Sequence, residues 1–254
     1  MKIGFAALGA TLLGVTSPAL AAQYTFNTTG TTLPTNSVFT DATPAPALQM
    51  KVTAWQANQS TNAITSSTLA IFSGGLGVVG TGESTSDGTH QIDNGGGYTD
   101  FVLLQFSRAV TLGQLTFNSY QLGSQTTLDN DLGWYNAGAI QTAAWNSTVN
   151  LGAYSYAGNL WSFVDNAGGA SGFDNITGTT ASTKWLIGAA GLSSYFTANG
   201  RASYDGFKLA SITVNDVTPP AVPEPASWAM MIAGFGLVGG ALRAGRRSDV
   251  RVAA

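Results

Sequence analysis

The sequence contains no cysteine, one histidine and few charged residues, and these absences narrow what the chain can be. Without cysteine the chain has no disulfide framework, no thiolate metal site and no thiol nucleophile. Only 9% of the 254 residues are charged, against about 25% in an average globular protein. The fold therefore depends on its apolar core, to which the six tryptophans contribute buried area.

The polar positions are filled by small uncharged residues instead. Threonine, serine, asparagine and the 32 glycines favour short strands joined by tight turns. These features predict an all-β fold, a β-sandwich or jelly roll, over residues 23–217. The glycine-rich segment Gly74–Gly80 predicts a sharp turn. Strand-like patterns occur at Tyr24–Phe26, Met50–Gln56, Thr68–Phe72, Phe101–Phe106, Thr111–Tyr120, Lys184–Ile187 and Phe207–Val214.

The N-terminus has the pattern of a secretion signal over residues 1–22. Lys2 is followed by an apolar or small segment, Ile3–Val15. Ala19 and Ala21 have the small side chains and the spacing that a signal peptidase recognises. We therefore expect export, with cleavage after Ala21 or Ala22.

The C-terminus has the pattern of a second signal. A proline-rich linker, residues 218–227, leads into the uncharged apolar run Trp228–Leu242, and a tail of residues 248–254 ends the chain. The run and the basic stop after it predict a transmembrane helix over residues 228–247. The run is shorter than the ~20 residues of a relaxed span, which favours a temporary anchor over a permanent one. The basic stop consists of Arg243, Arg246 and Arg247.

These C-terminal residues resemble a known sorting signal, the PEP-CTERM signal. The resemblance implies export, transient residence in the inner membrane, and processing near Pro-Glu-Pro by an exosortase. It also implies a final location at the cell surface or outside the cell, in a biofilm or exopolysaccharide matrix. The residues that carry it are Val222, Pro223, Glu224, Pro225, Trp228, Ala229, Met230 and Met231.

The middle of the chain is similar to a group of exosortase-dependent surface proteins. That similarity implies a surface location and no known reaction. It is carried by Gly75–Val78, His90–Gly95, Asp100–Phe106 and Asp129–Asp131.

Catalytic motifs are sparse. His90 is followed by no G-x-S-x-G elbow that would offer a nucleophile, and we expect it to bond to backbone or to Asp93. Glu83 is the sole glutamate before the tail, and no pair of carboxylates stands out for glycoside hydrolysis. A non-enzymatic protein is therefore expected, and a secreted hydrolase acting on glycans or esters through aspartates is the alternative.

Calcium is the cofactor that the sequence favours most, as a structural ion. Ca²⁺ binds oxygen ligands from closely spaced acidic residues and carbonyls. The full D-x-[DN]-x-[DN]-G pattern is missing, and Asp-Asn-Gly is also an ordinary turn. The candidate ligands are Asp87, Asp93, Asp129 and Asp131, with a further carboxylate at Asp100.

The region between the two terminal signals is acidic. Gln23–Val222 holds five basic and eleven acidic residues, a net charge of −6. Such a region lacks the basic footprint of a nucleic-acid-binding protein. Nucleic acid is therefore not an expected partner. The resemblance to the PEP-CTERM signal implies a surface or matrix protein that associates with exopolysaccharide, with a purely structural coat component as a further option. Aromatic residues beside polar loops can stack on sugars, but we expect most of them to pack in the core. Trp134 and Tyr135 are predicted as the most exposed pair.

Overall fold

The computed structural model describes residues 21–31, 37–84, 86, 90–120, 131–153, 161–164, 171–189, 205–217 and 225–248. A β unit extends over Ala21–Thr218, and one helix lies outside it. A short 3-10 turn occupies Leu151–Ala153. The strands and the helix are β1 Gln23–Asn27, β2 Val38–Asp41, β3 Leu48–Asn58, β4 Ile64–Ser66, β5 Thr68–Phe72, β6 Gly75–Val79, β7 Ile92–Asp93, β8 Tyr98–Ser119, β9 Leu132–Asn136, β10 Ser162–Val164, β11 Ser171–Asn175, β12 Ser182–Ala189, β13 Gly206–Asp216 and α1 Pro225–Ser248.

The 22-residue strand β8 organises the β unit. Its first half pairs with β3 on one edge and with β12 on the other. Its second half pairs with β13 and with β11. All of these pairings are antiparallel, and hydrogen bonds connect the thirteen described strands into one sheet. The first strand, β1, pairs with the last, β13, so the two ends of the β unit meet in the sheet.

The first half of β8 is buried on both faces, as its continuous apolar sequence predicted. Val102, Leu104 and Phe106 face the main core, which they share with β1, β3, β6, β12 and β13. Phe101 and Leu103 face a second core, formed with residues of β3, β12 and the segment after β9. Side chains of this size each contribute about 1.5–3 kcal/mol when fully buried. Burial on both faces therefore makes β8 the centre of the fold.

The all-β class is confirmed, but the predicted sandwich or jelly roll is not. The pairings of the described strands form one hydrogen-bonded sheet through β8, and they do not by themselves divide it into the two facing sheets of a sandwich. The sheet curves back on itself, since the rings of Phe26 in β1 and Phe106 in β8 lie 5.9 Å apart. The curved sheet thereby encloses the main core.

The predicted turn at Gly74–Gly80 is confirmed only at its first residue, because Ser73 and Gly74 form the turn between β5 and β6, and Gly75–Val79 forms strand β6. Glycine is needed there for close approach. A Cβ on Gly75 would lie 2.4 Å from the carbonyl oxygen of Leu209, and one on Gly77 would lie 2.2 Å from that of His90. Glycine within a strand commonly marks such close backbone contact.

Arg108, in the middle of β8, makes four hydrogen bonds within the fold. Its guanidinium donates to the carboxylate of Asp216 through Nε. It also donates to the backbone oxygens of Ala47 at 2.8 Å and Pro46 at 2.7 Å, and to the Tyr24 hydroxyl at 2.7 Å. Arg108 thus holds together β1, β8, β13 and the segment before β3.

Helix α1 begins at Pro225, where a proline is well tolerated because the first N–H groups of a helix have no intrahelical acceptor. The structure confirms a helix here but does not support the predicted membrane span. Within the described residues, no helix has both the length and the apolar character needed to cross a membrane. Its exposed apolar side chains are Met231, Ile232, Phe235, Leu237, Val238 and Leu242.

Candidate functional site

Three carboxylates meet at one edge of the main core, and we refer to Glu83, Asp93 and Asp100 as the acidic cluster. Glu83 comes from the loop after β6, Asp93 ends β7, and Asp100 lies near the start of β8. One carboxylate oxygen from each residue lies within 4.8 Å of the others. The cluster therefore depends on three chain segments that are brought together only by the fold.

The cluster is only partly satisfied by hydrogen bonds. Gly80 donates its N–H to Oε2 of Glu83 at 2.6 Å, and Gly95 donates to Oδ1 of Asp93 at 2.8 Å. Asp93 and Asp100 are each 2% exposed. Among the residues that the structure describes, Oδ2 of Asp93 and Oδ1 of Asp100 are buried without a hydrogen-bond partner. Buried polar atoms are rarely left in this state, so these two oxygens require an explanation.

Burial changes the acidity of the cluster. It raises the pKa of Asp93 to about 7, while the Gly95 N–H lowers this pKa and the charge of Glu83 raises it. Burial also raises the pKa of Asp100 well above its ordinary value, and the charges of Asp93 and Glu83 raise it further. Three ionised carboxylates in this space repel one another, so the site retains protons unless a cation enters.

The oxygens of the cluster converge on Gly80. A Cβ placed on Gly80 would lie 3.2 Å from Oε2 of Glu83, 3.5 Å from Oδ1 of Asp100 and 2.9 Å from Oε1 of Gln56. The Gln56 oxygen accepts the N–H of Thr81 at 2.8 Å, which fixes its position. The missing side chain of Gly80 thus leaves space beside the carboxylates.

A second polar group lies on the other side of β7. Asn94 donates through Nδ2 to Oδ2 of Asp205 at 2.7 Å, and the Asp205 N–H donates to Oδ1 of Asn94 at 2.8 Å. The N–H of Asp131 donates to Oδ1 of Asp205 at 3.3 Å. Asp131 therefore belongs to a hydrogen-bonded network rather than to the acidic cluster.

His90 is held by backbone, as the sequence predicted. Its Nδ1 lies 3.3 Å from the carbonyl oxygen of Ser84, and its ring lies 3.8 Å from the Phe72 ring, centroid to centroid. Lys208 approaches Phe72 as well, with its Nζ 4.3 Å from the ring centroid. The histidine is thus part of a packed aromatic and cationic stack.

The predicted exposed pair Trp134 and Tyr135 is wrong. Both side chains are half-buried, and they point to opposite faces because they are consecutive in strand β9. Trp134 packs against the main core, and Tyr135 against the second core. Tyr135 lies 6.1 Å from the ring of the buried Trp161.

A different surface offers uncharged side chains in an ordered array. We define the polar sheet face as the outward side of β1, β13, the second half of β8, and β11. Register places Thr25, Thr213, Gln114 and Asn175 in one row across these four strands, and Thr213 is the buried member of the row. The neighbouring row is Asn27, Ser211, Thr116 and Phe173.

Hydrogen bonds across the strands confirm that the first row shares one face. The hydroxyls of Thr25 and Thr213 lie 3.0 Å apart, and Gln114 donates through Nε2 to Oδ1 of Asn175 at 2.9 Å. Phe173 in the second row is 59% exposed. The polar sheet face therefore combines hydrogen-bond donors and acceptors with one accessible aromatic ring.

The other predicted site residues have the following positions. Ala22 precedes β1, and its carbonyl oxygen accepts the N–H of Asp216 at 2.7 Å. The residues at 225–231 of the sorting motif are helical, as are Arg243, Arg246 and Arg247. Outside the described residues are Ala19, Asp87, Asp129, Val222, Pro223 and Glu224.

Of the acidic cluster, the sequence analysis placed Asp93 among the calcium ligands and Asp100 beside them, but it missed Glu83. Asp100 can be recognised from sequence, because it is a carboxylate at the start of a strand that is buried on both faces. Glu83 offers no such signal, since its contact with β7 and β8 arises only in the folded chain.

Comparison with known proteins matches residues 221–247 to the PEP-CTERM protein-sorting motif. No curated protein and no solved structure matches the chain. The motif confirms the resemblance recognised at the C-terminus. It implies an exported, membrane-anchored precursor whose processing depends on an exosortase.

Proposed function

We propose that the β unit is a non-enzymatic component of an exopolysaccharide or biofilm matrix at the cell surface, and that it binds neutral polysaccharide along the polar sheet face. The sorting motif supports delivery to the outside of the cell. The observation that carries the binding proposal is the ordered, uncharged array on the polar sheet face.

The chemistry of this face matches a chain of sugar hydroxyls. Threonine, serine, asparagine and glutamine side chains supply both donors and acceptors, as hydroxyl-rich ligands require. The exposed ring of Phe173 supplies an apolar surface against which a sugar ring can pack. Neither row contains a charged side chain, which favours a neutral polymer over an anionic one.

Burial of the acidic residues supports a non-enzymatic role. A pKa of about 7 would suit Asp93 as a general acid. A general acid must, however, reach the substrate, and the Asp93 side chain is 2% exposed. The hydrolase alternative would require the β7 region to open.

Retention on immobilised exopolysaccharide from the producing cells tests the binding proposal. We expect full-length wild type to be retained, and Phe173→Ala to bind about tenfold more weakly. Ser60→Ala, an exposed substitution in the turn between β3 and β4, serves as the matched control and should bind like wild type. Equal retention of Phe173→Ala and wild type, or no retention of wild type, would contradict the proposal.

The hydrolase alternative has its own test. We expect no turnover across a panel of glycans and esters. Hydrolysis that disappears in Asp93→Asn or Asp131→Asn would replace the matrix proposal with a secreted hydrolase.

Sorting is tested separately by the intact mass of the protein recovered from cells and medium. We expect both terminal signals to be absent, with the C-terminal break close to Pro223–Pro225. A mass that still includes Trp228–Leu242 would identify a lasting anchor.

A further inference from the structure

We propose that Glu83, Asp93 and Asp100 bind a calcium ion that fastens the loop after β6 to β7 and β8. The ion would be structural and would act independently of the polar sheet face. The ligand set overlaps the one expected from sequence at Asp93 and Asp100, and it adds Glu83.

Two unpartnered oxygens carry this inference. Oδ2 of Asp93 and Oδ1 of Asp100 are buried, lack a hydrogen-bond partner among the described residues, and belong to side chains that are 2% exposed. A buried polar atom without a hydrogen-bond partner destabilises the folded state. A cation between them would satisfy both.

The geometry has the dimensions of a calcium site. Each ligand oxygen lies about 2.3–2.6 Å from a bound Ca²⁺, so two oxygens on one ion are at most about 5 Å apart. The three carboxylate oxygens of the cluster are within 4.8 Å of one another. They therefore fit one ion without a change of backbone.

The donor set selects a hard cation. All three side chains are carboxylates, and the nearest neutral oxygen beside Gly80 is the amide oxygen of Gln56. Calcium takes six to eight oxygens in flexible arrangements, whereas Mg²⁺ demands near-ideal octahedral geometry and retains several waters. A buried site with three fixed carboxylates favours calcium.

Calorimetric titration and thermal melting of the full-length chain test the site, with CaCl₂ or EDTA as the only difference. At calcium concentrations about 100-fold above Kd, we expect the melting temperature to rise by about 5–10 °C. Glu83→Gln keeps an acceptor for the Gly80 N–H and removes only charge, so the variant should fold and bind calcium at least tenfold more weakly. Asp100→Asn should lose the response.

Asp174→Asn is the control, because it removes one acidic charge from strand β11 away from the cluster. We expect it to keep the wild-type response. The proposal is overturned if wild type shows no binding heat and melts identically in calcium and EDTA. It is also overturned if Glu83→Gln and Asp100→Asn respond like wild type, or if Mg²⁺ gives the same shift at the same concentration.

Discussion

Strand β8 carries two polar sites, one partly buried at Arg108 and one buried at Asp100, that balance charge in different ways. Arg108 meets a carboxylate, two carbonyls and a hydroxyl, so its positive charge is matched within the fold. Near the start of the same strand, Asp100 meets two other acidic side chains. The first site supplies its own cation, and the second requires protons or an ion from solution. The comparison shows that the stability of a charged group within the fold depends on the groups that contact it, and not on its charge alone.

The largest expected loss of stability comes from removing the positive charge of Arg108. Arg108→Met leaves the Asp216 side chain, which is 6% exposed, without its cation. Removing one partner of a buried pair costs about 3–5 kcal/mol. Urea unfolding followed by tryptophan fluorescence measures this loss. Lys51→Met removes a base whose Nζ donates to one carbonyl at the surface, and should cost less than about 1 kcal/mol.

The stability of the calcium-free protein should depend on pH because of the acidic cluster. The pKa of Asp93 is about 7 in the folded chain, against about 4 for an unfolded aspartate. The folded state thus holds this proton more tightly, and stability falls as the pH rises from about 4 through 7, by about 2–4 kcal/mol. Glu83 and Asp100 face the same space and strengthen the trend. Melting in EDTA between pH 4 and pH 8 measures it, and a flat profile would show that the cluster does not titrate as described.

Removing a charge from the acidic cluster should stabilise the calcium-free protein, whereas substitution of Arg108 should destabilise it. Asp100→Asn removes a source of repulsion and adds a donor for neighbouring carboxylates, so we expect the calcium-free protein to gain about 1–2 kcal/mol at pH 8. Asp205→Asn, by contrast, replaces an acceptor that is already used and should destabilise the protein. Urea midpoints in EDTA distinguish the two variants. A loss of stability in Asp100→Asn would indicate that its carboxylate is already satisfied.

The smallest effect on stability is expected for Gly80→Ala, which tests space rather than charge. Gly80 has no positive φ, and its new methyl group would enter the region between Gln56, Glu83 and Asp100. We expect about tenfold weaker calcium binding in calorimetry, with less than about 1 kcal/mol change in stability. Gly172→Ala adds a methyl group to open space and is the control. Unchanged calcium binding in Gly80→Ala would place the ion elsewhere.

The sequence predicted individual strands better than their connection. Met50–Gln56 lies within β3, and the two segments Phe101–Phe106 and Thr111–Tyr120 lie almost entirely within β8. Their union into one strand could not be predicted, because Arg108 interrupts the apolar pattern between them. Only the folded chain brings Asp216 and the carbonyls of Pro46 and Ala47 to that arginine.

The candidate sites were predictable to the extent that they are local. The sorting motif is a short continuous segment, so its residues alone identify it. The acidic cluster combines a loop with two strands, and the sequence therefore indicated Asp93 and Asp100 but not Glu83. The polar sheet face depends on the register of four strands, of which β1 and β13 lie at opposite ends of the β unit.

The pairing of β1 with β13 also sets the order in which the protein can assemble during secretion. Gln23 and Asn215 are partners across 192 positions of the chain, and contacts of such long range form late because the intervening chain must first be confined. The first strand of the β unit can therefore pair only when its last strand is available. Since β13 ends at Asp216 and the sorting motif starts at residue 221, the β unit acquires its final edge pairing only when the sorting signal itself emerges. Pairing of β1 therefore requires the chain almost as far as the sorting motif.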